Sequence, residues 1–303
     1  MAGKKLVGTP QRRQFVRYAK VKGVSERRSC GFAQLPRSTF RYETRAKASN
    51  GLVECLKETA HKHPRFGYRR LHAMAKRAGH AVNHKRVYRL CKEQGLSVRR
   101  RAKRKSTLPK QERPNAATEV NHVRQYEVMP LWTVDFVQDQ LQSGRKVRML
   151  TVTDEYTRQS LAITIGFSLK SKDVASTLSR LIAERGAPKF LRSDNGSEFV
   201  ALALRGFLNR SGVSTAYIDK GSPWQNGFAE SFHSRFRDEF LNCEVFLSLA
   251  DAAARTEVWR RWYNQERPHG SLKYASPNTF AENAKKEKAN RETNAGTNTD
   301  AGT

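Results

Sequence analysis

Hydrophobic and polar positions alternate in three regimes along the chain. Between residues 131 and 218 apolar residues gather in short runs bounded by turns. LWTVDFV (131–137) consists almost wholly of strand formers, and comparable runs predict strands at 131–138, 147–153, 159–166, 189–193 and 213–218. Helices at 173–185 and 200–210 fall between them. In the first, Val174, Leu178, Leu181 and Ile182 form the core stripe, and Gly186 ends it. From residue 226 helical spacing returns: Phe228, Phe232, Phe236 and Phe240 stand at every fourth position of a helix over 226–241. A further helix starts at a Ser248/Asp251 capping pattern and runs to about Tyr263, with Val258 and Trp262 inward. Strands first, then alternating strands and helices, predict an α/β fold, a mixed sheet flanked by helices.

The first hundred residues show only helical spacing. Gln11 to Lys22, a segment capped by Ser25 and one opened by Pro36 predict a small unit like a helix-turn-helix. Its last helix carries Arg37, Arg41 and Arg45 in a stripe, read either as a groove-entering helix or as a phosphate-touching one. Residues 50–98 predict three more helices, capped by Asn50 and Asn83 and stopped by Gly79 and Gly95. Leu71, Met74, Val87, Tyr88, Leu90 and Leu96 would form their core, leaving Arg69, Arg70, Lys85, Arg86 and Arg89 to face DNA. The expected domains are therefore 1–48, 49–98, a basic linker at 99–120, a catalytic core at 121–282 and a polar, disordered tail at 283–303.

Charge sharpens this division. The chain of 303 residues carries a net charge of +29. Residues 1–113 hold 32 Lys and Arg against 6 Asp and Glu, whereas the remainder holds 25 against 22. A basic, all-α arm beside a near-neutral core is the footprint of a DNA-binding protein. Cys30, Cys55, Cys91 and Cys243 include no Cys-x-x-Cys pair, so neither a zinc knuckle nor a disulfide framework is expected. With no signal peptide and no apolar run long enough to span a bilayer, the expected location is the cytoplasm, on the nucleoid.

Three acids supply the candidate chemistry. Asp135 interrupts a strand that otherwise reads as buried, where a charge is costly unless paired or metal-bound. Asp194 ends the strand KFLRS, and Glu230 lies on the phenylalanine-striped helix, with 35 residues between the two. Close carboxylates repel one another unless a cation sits among them. The fitting pair is two Mg²⁺ ions about 4 Å apart, with Mn²⁺ as a substitute, beside a phosphodiester. Glu230, Ser234 and Arg237 share one helix face, so Arg237 would reach a phosphate near the ions. Asn195 and Glu198 would stand behind the acids, or Glu198 would face DNA. Asp154 reads as a turn former, and Asp139, Asp238 and Glu239 as solvated charges. His233 reads either as orienting a phosphate or as a plain surface histidine.

WTVD (132–135), SDNGSEF (193–199) and SPWQNGFAES (222–231), with HPRFGYRRL (63–71) and WYNQERPHGSL (262–272), together resemble the DDE transposase and retroviral integrase superfamily. The closer resemblance is to the catalytic, second-reading-frame protein of insertion-sequence-three-family transposases, over roughly residues 50–280. It implies a ribonuclease-H-like core with Asp135, Asp194 and Glu230 as catalytic metal ligands and Arg237 as the basic residue seven positions after the Glu. It also implies metal-dependent strand cleavage and strand transfer at element ends, with double-stranded DNA (ends and target) as partner. Self-association on DNA and an upstream-frame protein or fusion follow from the same resemblance. The loop before the catalytic helix would border the site, with Asn226 on DNA. Trp224 would stack on an unpaired base or close the core beneath the loop. The turn at Asn264, Arg267, Pro268 and His269 would pin itself against the catalytic helix. The competing class is a non-catalytic DNA-binding regulator or domesticated derivative, which shares the basic arm but not the need for the acids.

Overall fold

The computed structural model describes residues 8–42, 50–98, 131–218 and 226–296. By packing it divides into two units, one ending at Gly51 and the other starting at Leu52. In the first, α1 (Thr9–Val21), α2 (Glu26–Phe32) and α3 (Arg37–Arg41) enclose a small core of Val16, Cys30, Ala33 and Leu35. Ser25 caps α2 through the backbone N–H of Arg28, as expected, but α3 ends at Arg41.

From Leu52 on, α4 (Asn50–Lys62) belongs to the second unit, followed by α5 (Tyr68–Arg77) and α6 (His84–Glu93). Asn83 caps α6, while Gly79 and Gly95 take positive φ of 88° and 68° beyond the helix ends, a conformation that costs glycine nothing. Leu71 and Val87 are buried with Leu52, Leu56, Phe66, Ala75 and Cys91. Tyr88 is not in that core: it is half exposed and packs edge-on against Tyr68 at 5.0 Å.

Five strands follow: β1 (Leu131–Gln140), β2 (Lys146–Asp154), β3 (Ser160–Gly166), β4 (Phe190–Ser193) and β5 (Ser214–Tyr217). Their order is β3-β2-β1-β4-β5, with β1, β2 and β3 antiparallel and β4 and β5 parallel to β1. This is the mixed, helix-flanked sheet expected for a ribonuclease-H-like core. Its two faces bury different helices. Trp132, Val134, Leu150 and Val152 pack on α7 (Ser171–Arg185) and, beyond the short α8 (Ser197–Val200), on α9 (Leu202–Arg210). Val137, Val147 and Met149 pack on α10 (Gly227–Glu239) and α11 (Leu249–Gln265) through Phe232, Phe236, Phe240, Trp259 and Tyr263. Side chains alternate along β1, so Thr133, Asp135 and Val137 all face the α10 layer. Phe236 is fully buried there, and its truncation to Ala would cost about 3–5 kcal/mol.

Two expectations change. Val258 points to solvent and is 69% exposed, because the inward stripe of α11 runs through Ala252, Thr256, Trp259 and Tyr263. The tail expected to be disordered from Asn283 is helical as far as Gly296, as part of α12 (Pro277–Gly296). Ala281 and Ala284 dock this helix, and the Ala, Glu and Lys that follow are strong helix formers. Finally, α4–α6 pack directly on the α11 side of the core. Trp262 of α11 packs against both their core and the sheet's, stacking on His63 at 4.6 Å. Arg77 also donates to the carbonyls of Glu266 and Tyr274.

Candidate active site

Asp135 stands where β1 meets α10. Its side chain is 19% exposed, its Oδ1 accepts from the Phe136 N–H at 2.7 Å, and its Oδ2 accepts from the Asn226 amide at 2.9 Å. Asn226, expected on DNA, thus sits on the first acid, and its own buried Oδ1 has no hydrogen-bond partner among the described residues. Burial pushes the Asp135 carboxyl up to about 6, and the charges of Asp194 and Glu230 push the same way. The three acids therefore share one electrostatic neighbourhood. They are not drawn into a coordination shell: among the described residues no three His, Cys, Asp or Glu side chains stand close enough to hold an ion.

Asp194 lies just past the C-terminal end of β4, the parallel neighbour of β1. Its Oδ1 accepts from Gly196 N–H at 3.0 Å. A Cβ on Gly196 would sit 3.0 Å from that same oxygen, which explains a glycine at a position with ordinary φ of −59°. Asn195 reaches the carbonyl of Ile218 at 2.6 Å and ties the acid's loop to the end of β5. Glu198 binds Arg148 at 2.6 Å, and that guanidinium lies 4.1 Å over the Phe136 ring. Arg148 escaped sequence reading, although a lone arginine within KVRMLTV was a signal of the same kind as Asp135.

Glu230 is exposed on the first turns of α10, with Ser234 and Arg237 on the same exposed side. Arg237 donates to the carbonyl of Gln138 at 2.8 Å. His233 is not a plain surface residue. Its Nε2 lies 2.9 Å from the Thr151 hydroxyl and its Nδ1 3.8 Å from Asp135 Oδ2. Burial, then the charge of Arg237, brings its pKa down to about 4, so it is neutral near pH 7. Asp154 is the turn former expected, accepting from the N–H groups of Tyr156 and Thr157.

The basic candidates separate. Arg37 and Arg41 both converge on Glu26, at 3.4 and 2.7 Å, so the stripe is partly neutralised. Arg45 and Trp224 lie outside the described residues. Arg69 and Lys85 are exposed and Arg86 half-buried. Arg70 does not face outward: its guanidinium bonds Glu239 at 2.8 Å. Glu239 itself is no solvated charge. Its side chain is 4% exposed and also takes two bonds from the buried Arg267, at 2.6 and 2.7 Å. The RPHG turn thus pins α10, as expected, but through an acid misread as surface. Asp238 likewise pairs with Arg65 of the helical segment.

Two family models described as the integrase core domain match residues 125–223 and 211–277, and one described as an HTH-like domain matches 47–104. The insertion element IS407 uncharacterized 31.7 kDa protein of Burkholderia multivorans is 42% identical over 262 residues, covering 85% of this chain and 91% of that protein. The insertion element IS476 uncharacterized 39.2 kDa protein of Xanthomonas euvesicatoria is 37% identical over 291 residues, covering 96% and 82%. Transposase InsD for insertion element IS2D of Escherichia coli is 26% identical over 230 residues, covering 72% and 73%. Among the described residues no helix is long and apolar enough to cross a membrane.

Proposed function

Because the chain belongs to the insertion-sequence transposases with an integrase catalytic core, enzymes of DNA transposition and integration, we propose that Asp135, Asp194 and Glu230 are its catalytic carboxylates. The observation that carries this reading is the neighbourhood of Asp135, a mostly buried acid facing two like charges. Nothing in folding recommends such a grouping, whereas a divalent cation would relieve it. The donors fit a hard ion, being carboxylate oxygens with the unpartnered Asn226 carbonyl beside them. Asp135, Asp194 and Glu230 would hold Mg²⁺, or Mn²⁺ in its place. A bound pair of such ions activates a nucleophile and stabilises the leaving oxygen of an in-line displacement.

The chain's own groups then have defined tasks. Asn226 and His233 hold the side of Asp135 that faces α10. Gly196 and Asn195 fix the loop that presents Asp194, and Glu198 is kept in place by Arg148. Arg237 offers a guanidinium to a phosphate on the Glu230 face. The exposed cations Arg69 and Lys85 and the half-buried Arg86, with Arg37, Arg41 and Arg45, would follow the duplex backbone, and Trp224 would meet DNA at the site's edge. Residues 1–48 and 49–98 and the linker 99–120 would thus bind DNA, while 121–282 performs cleavage and joining. Two element ends must meet, so copies of the chain would associate on DNA, with or without an upstream-frame partner or fusion. The basic arm would keep the protein on the cytoplasmic nucleoid.

The test is strand cleavage and joining on duplexes carrying the element's own ends, with Mg²⁺. The wild-type chain should free a 3′-OH and join it to a second duplex. Asp135→Asn, Asp194→Asn and Glu230→Gln should do neither while still shifting DNA in a gel. Joining by any one of them would end the assignment, and wild-type cleavage without joining would make the protein a hydrolytic nuclease.

A further inference from the structure

A second cluster of chemistry lies beside the acids, and the proposed cleavage machinery does not use it. A cavity of about 360 Å³ opens between the first turns of α10, the turn after β2 and the RPHG turn. Four arginines line it, Arg70, Arg158, Arg235 and Arg267, each from a different part of the fold. Among the described residues, the nearby carboxylates are already engaged. Glu239 holds Arg267 and Arg70. Glu155, on the wall, is already engaged by Arg192 at 3.1 Å. Asp154 is taken up by its own turn.

Two further observations show that these charges converge. Arg158 lies 3.8 Å over the ring of Phe228, at a backbone position with φ of 64° that few arginines adopt. His269, also on the wall, has its pKa brought down to about 3, by burial first and then by Arg267, Arg158, Arg70 and Arg235. A neutral imidazole, the hydroxyls of Ser231 and Ser271 and four guanidinium forks form a lining of donors suited to a tetrahedral oxyanion.

The cavity is also in the right place. Thr153, on its wall, is two residues along β2 from Thr151, the register partner of Asp135. Side chains two apart share a sheet face and stand about 7 Å from one another. On α10, Ser231 and Arg235 are turned about 100–160° round the helix from Glu230 and His233, so the cavity and the acids lie on different sides of its N-terminal half. We infer that this arginine-lined cavity is a binding site for a phosphate group, taken from the DNA backbone next to the position where the acids would act. The inference rests on the transposase reading for its choice of ligand, not for the site.

Arg235 is the residue to change, because it is exposed at the cavity mouth and its loss leaves the core intact. The full-length chain, without divalent ions, is titrated with a 20-base-pair duplex over a salt series and separately with inorganic phosphate. Arg235→Gln should lower the slope of log K against log salt by about one, the value of one lost phosphate contact, and Arg235→Lys should restore it. Arg158→Gln should do the same if its melting temperature is kept. Lys172→Gln, on exposed α7, should leave the slope unchanged and serves as the control. An unchanged slope for Arg235→Gln overturns the site as a DNA contact, and weaker binding of inorganic phosphate alone would make it a free-anion site instead. Metal-dependent joining is not read in this experiment, so failure here leaves the assignment of the acids standing, and failure there leaves this one.

Discussion

One buried acid packs against each half of helix α10, Asp135 from β1 and Glu239 from its own last turn, and the two regions treat buried negative charge in opposite ways. Toward its N-terminal half lies Asp135, whose carboxyl burial raises to about 6 with Asp194 and Glu230 adding to the push. At its C-terminal end lies Glu239. Burial raises that carboxyl too, but the hydrogen bonds and charge of Arg267, then the charges of Arg70 and Arg235, outweigh it and hold the group below the usual range. A buried acid that serves the fold is given its counter-charge by the chain. Asp135, the acid proposed to serve chemistry, has no such counter-charge among its partners in the described residues and would be completed from solution.

The largest effect that separates the two should come from isosteric neutralisation. Asp135→Asn should lower strand joining by at least about a thousandfold, ~4 kcal/mol in barrier, while leaving the fold as stable as before or more so. Glu239→Gln should do the reverse. It strands two guanidinium groups in the interior and should cost about 3–5 kcal/mol of stability, read in a thermal or denaturant melt. A Glu239→Gln chain that melts like the wild type would erase the contrast.

Acid should probe it next. Burial lowers His233 to about 4 and His269 to about 3. In the unfolded chain both take up protons below about 6.5. Acidification from pH 7 therefore favours unfolding, by about 1.4 kcal/mol per histidine for each pH unit until the folded values are reached. Asp135 works the other way between its ordinary value near 3.8 and about 6, where only the folded state keeps the proton. Denaturation midpoints from pH 7.5 to 5 should fall, should fall less in His233→Gln with His269→Gln, and should fall more steeply in Asp135→Asn. The smallest effect belongs to Gly196→Ala. Its methyl would crowd Asp194 Oδ1 at 3.0 Å and should slow joining about tenfold, ~1.4 kcal/mol, with little change in melting temperature.

Much of this was readable from residues. The alternation in LWTVDFV put Asp135 on the face opposite Trp132 and Val134, and the phenylalanine spacing placed Glu230 away from the buried stripe. Both signals are local and periodic, and strand order follows from few topological options. What could not be read was long-range pairing between charges. Arg70 and Glu239 each look like surface residues in their own helices, and only docking of α5 on α10 turns them inward. The bond from Asn226 to Asp135 was hidden for a similar reason: an amide beside a glycine looks free until β1 is laid next to it. Val258 failed more simply, since on α11 a shift of one residue moves a side chain by about 100°.

Glu239 also sets an order of events in synthesis. It lies 169 residues beyond Arg70. At roughly 5–20 residues per second, the ribosome delivers it about 10 to 30 s after the arginine that will clasp it. Helices α4–α6 are complete during that interval but have nothing to dock on, so Arg65, Arg70 and Arg77 begin their existence as solvated cations; Arg70 is withdrawn toward the interior, and Arg65 and Arg77 gain their partners at the surface, only when the last part of the core emerges.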